Sequence, residues 1–279
     1  MIDLAAMAPG LRLDADGVWY AGAAASVSYP AEGNDLCFAV EEGSFWFGHR
    51  NRCIASLVAA FPPPEQGAIF DVGGGNGFVA LGLDRAGFEV VLVEPGRAGC
   101  LNARRRGLPH VVCATTETAD FVPASLPAIG LFDVVEHVAD DTAFLVSLRA
   151  LLRPGGRVYL SVPAYRWLWS GEDVAAGHFR RYTRAELVGR LGAAGFEVEF
   201  ATYFFRWLPL PIFLLRTVPH ALRLTRPHAA AAEVARDHLA GGGPWSRRIE
   251  RWLQPEVERI ARRRPMAWGG SCLVAARRR

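Results

Sequence analysis

Asp71-Val72-Gly73-Gly74-Gly75-Asn76-Gly77 is the stretch of this chain whose residue types and spacing are best suited to holding a ligand. The apolar run Ala68-Ile69-Phe70 precedes it and a helical pattern follows, so the glycines fall at a strand-to-helix turn. Glycine there permits a tight turn and close approach of a ligand to the backbone, and the helix behind it offers free N–H groups. A pyrophosphate turn requires G-x-G-x-x-G. Starting at Gly73 and Gly75, that pattern needs a glycine where Phe78 stands; starting at Gly74, it needs one where Asn76 stands. Both registers fail. The pattern that fits is an acid followed by alternating glycines: Asp71, then Gly73, Gly75 and Gly77. Two other groups carry reactive chemistry. His137 follows a later apolar run and titrates near neutrality as an ordinary imidazole, which suits a general base. His178-Phe179-Arg180-Arg181-Tyr182 places two guanidiniums where they can grip a carboxylate or phosphate, or alternatively clamp a buried acid such as Asp173.

These residues need a scaffold, and the chain reads as one. Short apolar strands are expected at 68–70, 89–93, 110–113, 127–132, 157–162, 196–202 and 271–276, with helices at 77–86, 97–106, 141–152 and 184–194 between them. The alternation predicts an α/β, Rossmann-like, doubly wound and mostly parallel sheet of seven strands. Right-handed crossovers then align the strand C-termini along one edge, where ligands bind. Four regions are expected: an N-terminal segment and helical cap at 1–61, a ligand-binding core at 62–203, a helical insertion at 204–268, and a last strand with a basic tail at 269–279. The cap contains a helix over 35–61, ended by Pro62-Pro63-Pro64. Residues 1–30 show little periodicity beyond a turn at Asp16-Gly17. In the insertion, Trp245, Ile249, Trp252, Leu253, Val257 and Ile260 share helical spacing and suggest one apolar face.

Composition narrows the class. Of 279 residues, 51% are hydrophobic and 21% charged, the balance of a folded globular protein. All 31 basic residues are arginine, and the net charge of +3 does not by itself imply nucleic acid. Arginines concentrate in the C-terminal third, from Arg247 to Arg279. The five cysteines, Cys37, Cys53, Cys100, Cys113 and Cys272, form no CxxC pair; neither a metal site nor a disulfide framework is expected, and a reduced cytoplasmic setting fits. His110, His220, His228 and His238 show no metal spacing. The apolar segment Trp207 to Leu215 is too short to span a membrane, so only peripheral contact through 203–215 is considered.

The acid-and-glycine turn resembles the first motif of the class I S-adenosylmethionine-dependent methyltransferases. Phe132-Asp133-Val134-Val135-Glu136-His137-Val138, Leu152-Arg153-Pro154-Gly155-Gly156-Arg157 and Ala194-Gly195-Phe196 resemble further segments of the branch that includes ubiquinone-biosynthesis O-methyltransferases. Ser44-Phe45-Trp46-Phe47 with Arg50, and Gly177-His178-Phe179-Arg180-Arg181-Tyr182, resemble a bacterial subgroup of that branch. The resemblance covers about residues 45–203 and the last strand. It implies S-adenosyl-L-methionine as cofactor, with Asp71 toward its ammonium directly or through water, Gly73, Gly75 and Gly77 beneath its methionine portion, and Glu94 on its ribose hydroxyls. Phe132, Arg50 and Trp46 are expected to complete the cofactor site. After the third strand many members carry an acid for the adenine; here the residues are Ala114-Thr115-Thr116-Glu117, so Thr116 is the candidate and the adenine contact stays open. His137 and His178 are the candidate catalytic groups, and Arg180, Arg181, Tyr182 and Asp173 the candidate acceptor contacts. The expected reaction is methylation of an oxygen or nitrogen on a small molecule: a sugar, a glycolipid precursor or a secondary metabolite. A nicotinamide-dependent oxidoreductase and a methyltransferase acting on a macromolecule are the alternatives.

Overall fold

The computed structural model describes residues 2–22, 38, 41–223 and 244–279. Cys37, His228, His238, the alanine run 229–232 and the expected start of the cap helix at 35–37 lie outside the described residues, as do the side chains of Trp245 and Ile249.

Nine strands form one sheet: β1 (Arg12–Leu13), β2 (Trp19–Tyr20), β3 (Ile69–Val72), β4 (Val90–Val93), β5 (Val111–Cys113), β6 (Leu126–Phe132), β7 (Leu152–Pro163), β8 (Phe196–Phe204) and β9 (Ser271–Arg278). Their spatial order is β1-β2-β5-β4-β3-β6-β7-β9-β8. The seven expected strands are present, and β3 to β7 run parallel. The expected count of seven is corrected to nine. The sequence 12–20 folds as a two-residue-per-strand hairpin through the Asp16-Gly17 turn, and β2 adds to the free edge of β5 (Trp19 opposite Val112). Runs this short carry no readable periodicity; an unpaired edge of N–H and C=O groups recruits them. A second difference concerns Pro154-Gly155-Gly156, expected to precede a strand. It lies inside β7, where pairing with β6 jumps from Leu126–Leu152 to Ala128–Arg157. The irregularity absorbs the proline and the positive φ of Gly155.

Helices cover both faces. In chain order they are α1 (Leu4–Met7), α2 (Phe45–Ala60), α3 (Phe78–Arg85), α4 (Arg97–Arg105), α5 (Asp141–Leu151), α6 (Gly171–Ala176) and α7 (Arg184–Ala193). Between β8 and β9 come α8 (Pro209–Ile212), a π-helical turn (Phe213–Thr217), α9 (Val218–Ala221) and α10 (Pro244–Ala261). The central strands are buried at every position and, Asp71 apart, apolar; they separate two cores. Alternate residues of one strand go to opposite cores: Ile69 to one and Phe70 to the other. α10 packs on α2 through Leu253 and Ile260, both buried. Trp252, expected on the same apolar face, is 70% exposed and stacks on Trp207 instead.

The chain order reverses at β3, which has β4 on one side and β6 on the other. The crevice beyond such a reversal is where open α/β sheets bind ligands. The glycine turn follows β3 and the His137 segment follows β6, so both flank it. β8 ends and β9 begins at the same edge, because Phe204 and Pro163 both pair with Ser271.

Candidate active site

The site is built on strand ends. Asp71 lies within β3, fully buried, and neither carboxylate oxygen has a hydrogen-bond partner. Burial pushes its pKa up to about 7; the Arg50 guanidinium works against that and the Glu94 carboxylate adds to it. Gly74 roofs the carboxylate: a Cβ there would stand 2.7 Å from Asp71 Oδ2 and 2.3 Å from Leu92 Cδ1, so only glycine fits. Gly75, with φ of +54°, has nothing within 4 Å of where a Cβ would be, which leaves its backbone open to a ligand. Asp71 is thus covered by the turn and makes no open contact with solvent.

Glu94 follows β4. Its Oε2 accepts from the Gly75 N–H at 3.0 Å and its Oε1 from the Gly96 N–H at 2.7 Å. Both oxygens are thereby fixed, and each keeps acceptor capacity for a hydroxyl. Burial raises its pKa, while those two N–H groups oppose the shift. Thr116 is buried just beyond β5, near the end of the same row of strand termini.

Arg50 bridges α2 to the crevice. Its Nη2 donates to the Phe132 carbonyl at 2.9 Å and pairs with Asp133 Oδ2 at 2.7 Å. The Trp46 ring lies 5.7 Å from the guanidinium and stacks parallel on Phe205 at 5.5 Å. The expected cofactor contacts Phe132, Arg50 and Trp46 are therefore brought together beside Asp71. Arg50 is partly committed to Asp133, a residue not singled out as a site candidate. Asp133 sits in the left-handed region, φ 59°, and also accepts from Ser161 Oγ at 3.0 Å. An acid directly after an apolar strand was the available signal.

The turn after β6 carries Glu136 and His137. Glu136 is fully buried with both oxygens unpartnered; burial, then the Asp133 charge, holds its carboxyl well above the usual range. His137 and His178 meet edge to face, ring centroids 4.7 Å apart. Burial, reinforced by His178, pushes His137 down to about 4, so this imidazole is neutral at pH 7.

Asp173 organises the opposite wall. Ser170 and Asp173 form the capping box that starts α6, with Asp173 Oδ2 accepting from Ser170 N–H at 2.8 Å. The same carboxylate takes His178 Nδ1 at 2.9 Å and Arg181 Nε and Nη2 at 2.7 and 3.0 Å. Burial opposes its ionisation, but the His178 and Arg181 bonds outweigh burial and hold it at about 2. With Nδ1 carrying the proton toward Asp173, His178 Nε2 is the acceptor atom. Arg181 is thus occupied by Asp173. Arg180 pairs with Asp141 at 2.9 Å, and Tyr182, 1% exposed, donates to Asp141 Oδ2 at 2.7 Å. Of the four expected acceptor contacts, Asp173 and Tyr182 are buried, Arg181 is tied to Asp173 and Arg180 to Asp141; Asp173 is the one that holds His178.

The arrangement defines a class: an α/β sheet with a glycine turn, the buried carboxylates of Asp71 and Glu94 on adjacent strands, and the His137–His178 ring pair opposite. Residues 46–200 match the family model described as a methyltransferase domain, and the chain belongs to that family. It is a methyltransferase that uses S-adenosylmethionine as methyl donor, which sets the nicotinamide alternative aside. A ubiquinone biosynthesis O-methyltransferase of Xanthomonas axonopodis is 26% identical over 161 residues, 51% of this chain and 67% of that protein. A Mycolicibacterium smegmatis protein described as a probable S-adenosylmethionine-dependent methyltransferase is 30% identical over 61% of this chain and 66% of its own length. Coverage of other curated relatives is lower, 42% for the Aeromonas salmonicida ubiquinone biosynthesis O-methyltransferase. In fold, the chain is similar to a Thermotoga maritima methyltransferase described as a possible histamine N-methyltransferase, with TM-score 0.53, 15% identity, and 88% and 94% of the two chains covered.

Proposed function

We propose that this chain methylates an oxygen or nitrogen of a small molecule held against His137 and His178. The observation that carries this reading is the pair of imidazoles beside the crevice, His137 held neutral by burial and His178 oriented by Asp173. When bound, S-adenosylmethionine supplies a methyl group already activated on a sulfonium. The buried, unpartnered Asp71, the open backbone at Gly75 and the fixed oxygens of Glu94 fit its ammonium, its methionine portion and its ribose hydroxyls respectively. Arg50 contributes a cation for the carboxylate, with Trp46 beside it. The task left to the protein is positioning the acceptor in line, together with removing its proton. His137 accepts that proton while neutral. His178 Nε2 is the second acceptor, since Asp173 holds its Nδ1. Phe132 and the Gly73 and Gly77 turn residues frame the cofactor side, and Thr116 lies toward the adenine side.

The acceptor is a small hydroxyl- or amine-bearing molecule of the sugar, glycolipid-precursor or secondary-metabolite kind; the ubiquinone-pathway relatives favour oxygen. The test is a panel of hydroxyl- and amine-bearing acceptors, with release of S-adenosylhomocysteine measured. A hit should lose turnover in His137→Ala with the donor's Kd unchanged. Unchanged turnover in both His137→Ala and His178→Ala would remove the imidazoles from the mechanism, and transfer only to protein or RNA would replace the small-molecule reading.

A further inference from the structure

We propose that the face built between β8 and β9 docks on an anionic phospholipid surface. Six large apolar side chains stand exposed there: Trp207 (54%), Leu210 (64%), Leu214 (54%), Leu215 (74%), Trp252 (70%) and Trp268 (43%). They come from three places in the chain, and Trp207, Leu210, Trp252 and Trp268 are joined in one patch. Trp207 and Trp252 stack with centroids 5.3 Å apart, and Arg206, Trp207, Leu210 and Trp268 line one groove of about 280 Å³. Leu210 and Leu214 are four residues apart on one helical stretch, so they share a side. Scattered single apolar residues are ordinary on a surface; a joined set of tryptophans and leucines marks an interface.

Charge selects the occupant. Residues 203–223 contain three arginines and His220 and no carboxylate. Arg206 lies over Trp207, exposed Arg223 closes the helical stretch, and exposed Arg251 neighbours Trp252. Three acids of the neighbouring elements are engaged: Glu172 pairs with Arg216 at 2.6 Å, Glu258 with Arg262 at 3.8 Å, and Glu256 is buried. Apolar side chains rimmed by guanidiniums match acyl chains below and phosphates above, with indoles at the boundary. A second copy of the chain is disfavoured, because a symmetric contact would set the same arginines against one another. No described helix is long and apolar enough to cross a membrane, which fits docking rather than insertion. The face also lies at the sheet edge that carries the active site, and its helical stretch rests on α6 through Arg216–Glu172 and His220 against Gly171. Docking therefore turns the active-site edge toward the bilayer.

The test uses the full chain with vesicles of phosphatidylcholine alone or with about one-third phosphatidylglycerol. Co-sedimentation with the anionic vesicles is expected at low salt, weakening with added salt, and tryptophan fluorescence should be quenched by acyl-chain-brominated lipid. Replacing Leu214 and Leu215 together by serine should lower partitioning by at least about tenfold, while S-adenosylhomocysteine binding confirms that the variant is folded. Arg206→Glu with Arg223→Glu should abolish the preference for anionic over neutral vesicles. Absence of binding to anionic vesicles at low salt, equal binding to neutral ones, or a concentration-dependent dimer dispersed by the serine variant would each overturn the proposal.

Discussion

Replacing Asp71 by asparagine should stabilise the apoprotein while weakening cofactor binding, and the size of the effect should depend on pH. Asp71 is fully buried, lacks a hydrogen-bond partner on either oxygen, and titrates near about 7 rather than the ordinary 3.8. A carboxyl whose folded pKa lies above its unfolded pKa holds its proton more tightly in the folded state. Between about 3.8 and about 7 the folded chain therefore binds more protons, and stability falls as pH rises through that window. Each pKa unit is worth about 1.4 kcal/mol, so the full loss above the window is about 4 kcal/mol and the loss at pH 5 about 1.6 kcal/mol. Asparagine carries no such titration. The stability gap between Asp71→Asn and the parent protein should widen by about 3 kcal/mol from pH 5 to pH 8.5. At about 3 °C per kcal/mol for a chain of this size, that is on the order of 8 °C in relative Tm. Differential scanning fluorimetry of the apoproteins across that range measures it. In calorimetry at pH 7, the parent should release about half a proton as a cationic ligand draws Asp71 into its ionised form, seen as a buffer-dependent heat. A gap that stays constant with pH, or an Asp71→Asn protein that destabilises relative to the parent as pH rises, would refute the reasoning.

Because burial holds His137 near about 4, the acid limb of the pH–rate profile should fall near pH 4 to 5 rather than at the 6.5 of an ordinary imidazole, and His137→Gln should cut kcat by about 10² to 10⁴ with little change in donor Kd. Asp173→Asn should lower stability at pH 7 by about 3 kcal/mol, read by urea denaturation, since it leaves Arg181 without its bidentate partner; because Asp173 is held at about 2, the parent keeps this contribution above about pH 4 and loses it as pH falls toward 2. Glu256 on α10 accepts from the Phe205 and Arg206 N–H groups at 2.7 and 2.8 Å and meets His49 at 3.1 Å, so Glu256→Ala should cost about 3 kcal/mol in the same assay and expose the α2–α10 contact to limited proteolysis.

The alternating pattern of apolar strands and helices was legible because it is local: every residue of β3 and β4 is buried, and continuous apolar runs mark strands covered on both faces. The glycine turn was legible for the same reason, since Gly73, Gly75 and Gly77 all adopt positive φ within one turn. β1 and β2 were not, because two residues carry no period and their pairing depends on the open edge of β5. Trp252 was misplaced because helical spacing gives neighbours on a cylinder but not which residue at the edge of a face finds a partner; Trp207 supplied one.

What the sequence by itself determined is the acid-and-glycine side of the crevice: a strand, an acid, alternating glycines and Glu94 lie within the 27 residues from Ala68 to Glu94, so short-range geometry suffices to bring them together. The acceptor side was decided only by tertiary structure. Asp173 could be read as a substrate contact or as a clamp until the chain folded it into a capping box, against His178 and against Arg181 at once. Tyr182 reaches Asp141 across 41 residues, and Arg50 reaches Phe132 across 82. Which of several equally suitable partners a buried charge takes is settled by packing and desolvation across the whole fold, and no local pattern encodes that choice.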